Sequence, residues 1–456
     1  MAGGMKHLIT PAVLLLSFAA CAADVGRVIV RQQWPWSTAI KVEFELKNVT
    51  DPVDVSLKAY NGTTQYDQAL VDAATSGPRF ALTKGDVYTL TLDPAVLFAD
   101  GTKTVPDFKV TVTATAAEKT AEVLYKIVNL ESPYDVTDVT RGALLNGEYG
   151  AIETKYSDLD PAFSKVQPAD MLIWTGVTNN PAYKTTHLVL RKINSAGKSA
   201  KYQNTCTASF TYDFFIGVFE VTQAQFAKVC SHPHESSNET NPDYAAYRPV
   251  DKLSWDGIRG KNNGDLWPAG DHTSLDSGKF LYILQQRTGL MLDLPTATAW
   301  EFACRGGNFN QSSPELYTGE YSSDVASAKI MRCRGINCVN TGSNAPANCD
   351  LTDGPAWVGS YLPNAYGLYD MLGNVKEICL DHIAEIPTEA VTDYRGPAES
   401  SYSIKRDRVL RGGSYKDQRA SVLVYTSKTN MHPTDYERDA GIRLCLYPDA
   451  QPQPQE

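Results

Sequence analysis

The sequence lacks several features that would assign a function directly. No run of lysine or arginine occurs, and the 456-residue chain carries a net charge of -10. Binding to nucleic acid needs a basic stripe that neutralises phosphates, so this composition argues against that class of partner. The sequence also has no Gly-x-Ser-x-Gly, phosphate-cradling or His-Glu-x-x-His motif. The common hydrolase, nucleotide-binding and zinc-protease signatures are therefore missing.

No apolar run is long enough to span a bilayer, which takes about 20 residues. The main apolar run, residues 8–20, follows Met5-Lys6-His7 and precedes small residues. This pattern is typical of an export signal, so residues 1–23 are predicted to be a signal peptide. We expect a bacterial protein that is secreted, periplasmic or on the outer surface. Two interpretations stay open: cleavage before Ala23, or a lipoprotein anchored through acylated Cys21.

Cysteine is missing from residues 24–205, whereas eight of the nine cysteines lie between Cys206 and Cys445. In an exported protein, an even number of cysteines favours disulfides over free thiols. The pairing cannot be deduced from the sequence. The N-terminal domain, by contrast, must be held together by core packing alone.

Period-two hydrophobic patterns dominate the N-terminal part. Apolar residues alternate with polar ones over residues 40–47, 53–57, 88–92 and 108–112, with turn signals such as Asn61-Gly62 between the runs. Short strands at this spacing predict an antiparallel β-sandwich over residues 24–130. Residues 131–165 are rich in Ser, Pro, Asp and Gly and are predicted to be a linker. Residues 449–456 are predicted to be a disordered tail.

The second predicted domain, residues 166–448, has few regular elements. A helix is expected over residues 223–229, capped by Thr222, and a second over 277–288, stopped by Gly289. A third is expected over residues 296–304. Most of the rest resembles loop, so we expect disulfides or bound metal ions to stabilise it. The whole chain is predicted to be α+β.

Six phrases in one order carry a family resemblance. They are Gly217-Val218-Phe219-Glu220-Val221-Thr222, Trp300-Glu301-Phe302-Ala303-Cys304-Arg305-Gly306-Gly307, Tyr366-Gly367-Leu368-Tyr369-Asp370-Met371, Gly373-Asn374-Val375, Arg411-Gly412-Gly413-Ser414 and Gly441-Ile442-Arg443-Leu444. In this order they resemble the formylglycine-generating enzyme (sulfatase-modifying factor) family. The resemblance implies a loop-rich mixed domain that is distantly like C-type lectins and binds calcium.

The same resemblance raises doubt about the family's reaction. Active members use two cysteines, five positions apart, to hold the copper ion that oxidises a sulfatase cysteine to formylglycine. Counted onto this chain, these positions fall on Asp417 and Val422, although Ser414 matches the family's pocket serine. Copper(I) prefers thiolates, so copper is not expected. Lys376 also replaces the tryptophan that usually follows Gly-Asn-Val.

Two functions therefore compete. The first is a protein without oxidase activity that binds an envelope protein or glycan, with no residue assigned to catalysis. The alternative is an oxidoreductase of the formylglycine-generating type that oxidises a sulfatase cysteine through an unrecognised site. Cys333 and Cys338 show the same five-residue step, but they precede the Gly-Asn-Val phrase and are interpreted as part of a disulfide framework.

Calcium is the cofactor that the resemblance implies. The matching ligand positions are Asp370, Gly373, Val375 and Glu377, where two carboxylates and two backbone carbonyls offer the oxygen ligands that calcium takes. A second set falls on Asn337 and Asp350. The competing interpretation of the first set is a capped turn with a solvated glutamate.

Overall fold

The structure, a computed structural model, describes residues 23–32, 37–98, 105–159, 171–231, 245–262, 266–306, 327–334, 336–337, 354–398, 406–422 and 428–448. Their contacts divide the chain into two units. The first comprises the described residues up to Leu124 together with Val139–Ala151. The second comprises Tyr125–Asp138 and the described residues from Ile152 onward. Strands outnumber helices, and the fold class is mixed α+β, as predicted.

Twenty strands and eight short α-helices occur in the described residues. The strands are β1 (Asp24–Gln32), β2 (Ile40–Lys47), β3 (Val53–Asn61), β4 (Thr64–Gln65), β5 (Thr75–Ser76), β6 (Val87–Leu92), β7 (Phe108–Ala116), β8 (Val123–Asn129), β9 (Val136–Thr140), β10 (His187–Ile193), β11 (Ser199–Tyr202), β12 (Cys206–Ser209), β13 (Phe214–Gly217), β14 (Leu292–Asp293), β15 (Lys376–His382), β16 (Val391–Thr392), β17 (Arg408–Arg411), β18 (Lys428–Met431), β19 (Ala440–Gly441) and β20 (Cys445–Leu446). The helices are α1 (Gln68–Ala74), α2 (Pro94–Leu97), α3 (Arg141–Leu145), α4 (Gln223–Val229), α5 (Trp255–Ile258), α6 (Phe280–Thr288), α7 (Ala297–Cys304) and α8 (Arg419–Val422).

Two antiparallel sheets and one apolar cluster form the first unit. The strand orders are β1-β2-β6-β5 and β4-β3-β7. The predicted strand over residues 40–47 is confirmed, because alternate side chains from Ile40 to Leu46 are buried and those between them are not. β3 pairs with β7 along its whole length, from Val53 opposite Ala116 onward. Both sheets contribute side chains to the same cluster, so apolar burial stabilises this cysteine-free unit.

Regular structure extends into the segment predicted to be a linker. Residues 131–165 contain β9 and α3, and Val139 and Leu144 are fully buried. Thr140 caps α3 by accepting a hydrogen bond from the Ala143 amide. The contacts also divide the chain elsewhere than at residue 130, because β8 pairs with β10 in a sheet of the second unit. The linker expectation is therefore corrected over the residues of β9 and α3.

The second unit contains three sheets. The largest has the strand order β14-β20-β13-β10-β8-β9, and two smaller ones have the orders β11-β12-β16 and β18-β17-β15-β19. Two-residue strands such as β19 and β20 contribute to these sheets. In the third sheet, β15 pairs antiparallel with β17 and parallel with β19. This sheet brings the Gly-Asn-Val, Arg-Gly-Gly-Ser and Gly-Ile-Arg-Leu phrases side by side.

All three predicted helices of this unit are present. α4 begins with a capping box in which Thr222 and Gln225 satisfy each other's backbone amides. α6 ends at Gly289, which adopts a left-handed conformation with φ of 70°. α7 follows Thr296, whose side chain accepts from the Ala299 amide. No helix within the described ranges is both long and apolar enough to cross a membrane.

Candidate functional site

The Arg-Gly-Gly-Ser loop directs Ser414 into the interior of the second unit. Gly412 and Gly413 follow β17 with φ of 85° and 68°, a region that favours glycine because other residues meet steric strain there. A Cβ atom on Gly413 would lie 2.9 Å from Val422 Cγ2. The two glycines thus allow a turn after which Ser414 is fully buried.

Ser414 is the centre of a polar network. Its hydroxyl lies 2.5 Å from Asp439 Oδ2 and 3.0 Å from Asp417 Oδ2, and its amide donates to Asp417 Oδ2 at 2.9 Å. Lys376 Nζ lies 3.1 Å from Asp439 Oδ2 and 3.7 Å from Asp417 Oδ2. The ammonium group of Lys376 therefore lies within ion-pair distance of two carboxylates, and the formal charges of the three groups sum to -1.

The pKa shifts agree with this pairing. Desolvation opposes the charge on Lys376, but the carboxylates of Asp439 and Asp417 outweigh it and raise the pKa of Lys376. Desolvation likewise opposes the charge on Asp439, but the hydrogen bond from Ser414 and the charge of Lys376 lower its pKa. Lys376 and Asp439 accordingly form a charged pair at neutral pH.

Asp417 and Val422 occupy different environments. The Asp417 side chain is 31% exposed, and its backbone carbonyl accepts from the Arg334 amide at 2.8 Å. Val422 is fully buried at the end of α8. At these two positions the structure places a hydrogen-bonded carboxylate and a core aliphatic side chain, neither of which is a soft ligand.

A cleft of about 690 Å³ opens beside this network. We call it the Asp417 cleft, and its charged lining includes Lys376, Lys416, Asp417, Glu437, Arg438 and Asp439. Its volume lies within the usual range of about 300–1,000 Å³ for ligand sites, but such sites are mostly apolar. A hydrophilic ligand fits this lining better than an apolar one.

The predicted calcium ligand Asp370 is buried and incompletely satisfied. Its Oδ2 accepts from the Gly359 amide at 2.6 Å, whereas its Oδ1 has no hydrogen-bond partner. Burial raises the pKa of Asp370 to about 6. Burial, reinforced by the charges of Asp370 and Glu377, raises the pKa of Glu220 well above its ordinary value. A cation at the Asp370 oxygen would be electrostatically favourable.

Glu377, in contrast, already has strong partners. Arg443 donates to both of its carboxylate oxygens, at 2.7 to 3.0 Å, and Trp300 Nε1 donates to Oε2 at 2.6 Å. Gly373 and Val375 complete the turn, with the Val375 amide donating to Glu220 at 3.1 Å. The solvated glutamate of the competing interpretation is wrong, because Glu377 is fully buried. Within this predicted ligand set, Asp370 Oδ1 thus lacks a donor, whereas both Glu377 oxygens already accept hydrogen bonds.

The second predicted calcium pair lies only partly in the described residues. Asn337 is buried, and its Nδ2 donates to the carbonyls of Ala328 and Met331 at 2.9 and 2.8 Å. Asp350 and Cys338 lie outside the described residues. Among the residues with a described position, no three His, Cys, Asp or Glu side chains converge into a group that could hold a metal ion.

The disulfide expectation is corrected for five cysteines of the second unit. The structure has free thiols at Cys206, Cys230, Cys304, Cys379 and Cys445. All but Cys230 are buried, and burial raises the pKa of the Cys304 and Cys379 thiols. The four buried thiols behave as small apolar core residues.

Three residues of the site escaped sequence reasoning. Asp439 was not singled out, although it directly precedes Ala440 and the closing Gly-Ile-Arg-Leu phrase. Arg443 and Glu220 were quoted only as parts of motifs. Their partners lie far away in sequence: Glu377 is 66 residues from Arg443, and Asn374 donates to Glu220 across 154 residues.

Comparisons with known proteins support the resemblance. Residues 191–447, more than half of the chain, match the family described as "Sulfatase-modifying factor enzyme 1-like domain". The formylglycine-generating enzyme of Mus musculus is 33% identical over 159 residues, which are 33% of this chain and 38% of that protein. The enzyme of the same name from Thermomonospora curvata is 33% identical over 167 residues, which are 34% of this chain and 45% of that protein.

A solved structure, Treponema denticola variable protein 1, aligns with a TM-score of 0.40 and 24% identity over 58% of this chain and 96% of that chain. The sequence matches to the two enzymes cover less than half of each enzyme's length. The family match, in contrast, takes in the sheets around Ser414 and Glu377. The chain therefore belongs to the sulfatase-modifying factor enzyme 1-like family.

Proposed function

We propose that this family member is a binding protein that does not oxidise cysteine. The observation that carries the proposal is the pair at the predicted copper positions: the carboxylate of Asp417 is hydrogen-bonded to Ser414, and Val422 is fully buried. Copper(I) requires soft sulfur ligands, which carboxylate and aliphatic groups do not replace. The scaffold is kept while the residues of the reaction are changed.

The Asp417 cleft is the proposed binding site. It lies beside Ser414, where the family resemblance places the substrate pocket, and its wall carries Lys376 in place of the family's tryptophan. A substrate groove that has exchanged an aromatic residue for a lysine paired with aspartates recognises a different ligand. The proposed partner is a protein or glycan of the cell envelope.

Further features of the proposal concern the whole chain. The export signal predicted from residues 1–23 supports the proposal of secretion or attachment to the envelope, with Cys21 as a lipid anchor. The two sheets of the first unit are proposed to form a β-sandwich, and the second unit to be C-type-lectin-like. Calcium is proposed as a structural ion that binds the unsatisfied Asp370 oxygen, and metal analysis of the purified mature protein tests it.

A copper(I) titration, followed by dioxygen consumption in the presence of a cysteine-bearing peptide, tests the loss of oxidase activity. We expect the wild type to show neither tight one-to-one copper binding nor turnover. The matched variant Asp417→Cys/Val422→Cys restores thiols at both positions and is expected to bind copper(I). Tight copper binding with turnover by the wild type would establish the oxidase instead. Equal, weak binding by both proteins would show that the copper positions were assigned wrongly.

A further inference from the structure

A second cleft shares two lining residues with the Asp417 cleft. It has a volume of about 600 Å³, and we call it the Asp276 cleft. Thr434 and Tyr436 line both clefts. They belong to the connection between β18 and β19, whose ends are fixed by buried Met431 and Asp439. Tyr436 is 43% exposed, so the one tyrosine that lines both clefts is accessible to a ligand.

The linings of the two clefts are polar but nearly balanced in charge. Four carboxylates and three cationic groups line the Asp417 cleft, and two of each line the Asp276 cleft. Ser254 and Ser277 add hydroxyl groups to the second cleft. Among the described residues that line either cleft, Tyr436 is the only aromatic residue, and no Val, Leu, Ile, Met, Phe or Trp occurs.

This lining discriminates between classes of ligand. The core of a protein–protein interface is rich in aromatic and apolar groups and depleted of charge, which is the reverse of what lines these clefts. A polyanion or polycation would meet nearly as much repulsion as attraction. Sugar hydroxyls both donate and accept hydrogen bonds, so they match a surface where carboxylates accept and ammonium groups donate. A tyrosine ring offers an apolar face against which a sugar ring packs.

We propose that the two clefts together bind one neutral oligosaccharide, whose chain crosses the ring of Tyr436. The inference rests on the proposed binding function and names its ligand class. Each cleft holds part of the chain through polar contacts, and Tyr436 contributes the central packing surface. Because the contact depends on the ring and not on its hydroxyl, phenylalanine is expected to replace tyrosine there.

The experiment is calorimetric titration of the full-length protein with neutral hexasaccharides of glucose, mannose and N-acetylglucosamine at millimolar concentrations. We expect at least one to bind the wild type. Tyr436→Ala is expected to weaken that binding roughly tenfold, about 1.4 kcal/mol, because it removes the apolar ring face against which the sugar packs. Tyr436→Phe is expected to bind within about twofold of the wild type. The matched control is Tyr134→Ala, a tyrosine that is 70% exposed and lines neither cleft.

Binding to an immobilised envelope fraction separates this inference from the binding function itself. Periodate cleaves the vicinal diols of sugars, so periodate treatment of the fraction is expected to abolish binding, whereas protease treatment is expected to leave it. Loss with protease alone would overturn the saccharide and leave the binding function intact. No binding to the untreated fraction would contradict the binding function. Failure of all three hexasaccharides, or equal binding by Tyr436→Ala, would overturn the saccharide proposal directly.

Discussion

Glu377→Gln tests what holds the interior of the second unit together. Glu377 and Arg443 are both fully buried, and their closest contact is 2.7 Å. Removing one partner of a buried ion pair leaves the other charge uncompensated and costs about 3–5 kcal/mol. Glu220 and Asp370 also favour the charge on Arg443, so we expect the lower end, about 3 kcal/mol. Glutamine keeps the size of the side chain, so the loss of stability measures the effect of the missing charge and not that of a cavity.

The assay is urea unfolding of the full-length protein followed by tryptophan fluorescence. Five of the seven tryptophans lie in the second unit, so the signal reports mainly on that unit. With a slope of about 2–3 kcal/mol per molar urea, a loss of about 3 kcal/mol lowers the midpoint by roughly 1 to 1.5 M. The exposed Glu389→Gln is the matched control, and its free energy of unfolding should change by no more than about 0.5 kcal/mol.

The same titration in calcium and in EDTA separates an ion pair from a calcium ligand. Because both Glu377 oxygens accept from Arg443, the loss in Glu377→Gln should be the same in both buffers. Asp370→Asn should instead remove the stabilisation by calcium, which amounts to about 2.7 kcal/mol when calcium is at 100 times its Kd. If Glu377→Gln unfolds like the wild type in EDTA and differs only in calcium, the ion-pair reasoning is refuted.

Three other measurements test separate parts of the structure. Gly413→Ala should lower the free energy of unfolding by about 1–3 kcal/mol, since φ is 68° and Val422 lies 2.9 Å from the added Cβ. The control Gly197→Ala, with φ of 72° and no atom within 4 Å, should lower it less, and equal urea midpoints for the two variants would contradict the steric argument. Burial raises the pKa of Asp381 from 3.8 to about 6, so the folded state binds the proton more tightly. The contribution of Asp381 to stability should therefore fall by up to about 3 kcal/mol as pH rises from roughly 4 to 6, and Asp381→Asn should remove that share of the slope in urea midpoints taken across this range. A thiol reagent should label partly buried Cys230 before the four buried free thiols, and simultaneous labelling in the native state would contradict their burial.

Local patterns predicted four strands of the first unit and three helices of the second. The strand over residues 40–47 followed from strict alternation, and the start of α4 followed from the pair Thr222 and Gln225, whose contacts span three residues. The strand and helix in the predicted linker were missed because only tertiary burial distinguishes Val139 and Leu144 from loop residues. Two-residue strands such as β20 were also missed. Their pairing depends on partners far away in sequence, which no local period shows.

Sequence reasoning found the part of the site that lies within one motif and missed the contacts between segments that are far apart in sequence. Counting from Arg-Gly-Gly-Ser placed Ser414 next to Asp417, and the structure joins them by hydrogen bonds. The hydrogen bond from Ser414 to Asp439 crosses 25 residues, so sequence spacing did not reveal it. The cysteine count failed for another reason. An even number of cysteines does not indicate whether a thiol such as Cys304 contacts a second thiol or an apolar core.

In the proposed function, family membership and family chemistry separate at one loop, the one that carries Ser414 and Asp417. The buried pairs Glu377–Arg443 and Glu301–Arg411, together with the glycines before Ser414, fix the frame without any contribution from a copper ligand. Under the proposed function, aspartate and valine stand where the reaction needs thiolates, and the described frame is built with these two residues in place. A scaffold whose stability does not depend on a copper ion can lose the reaction and keep the cleft. We therefore propose that the ligand of the Asp417 cleft, and not the match to the family, decides the function of this protein.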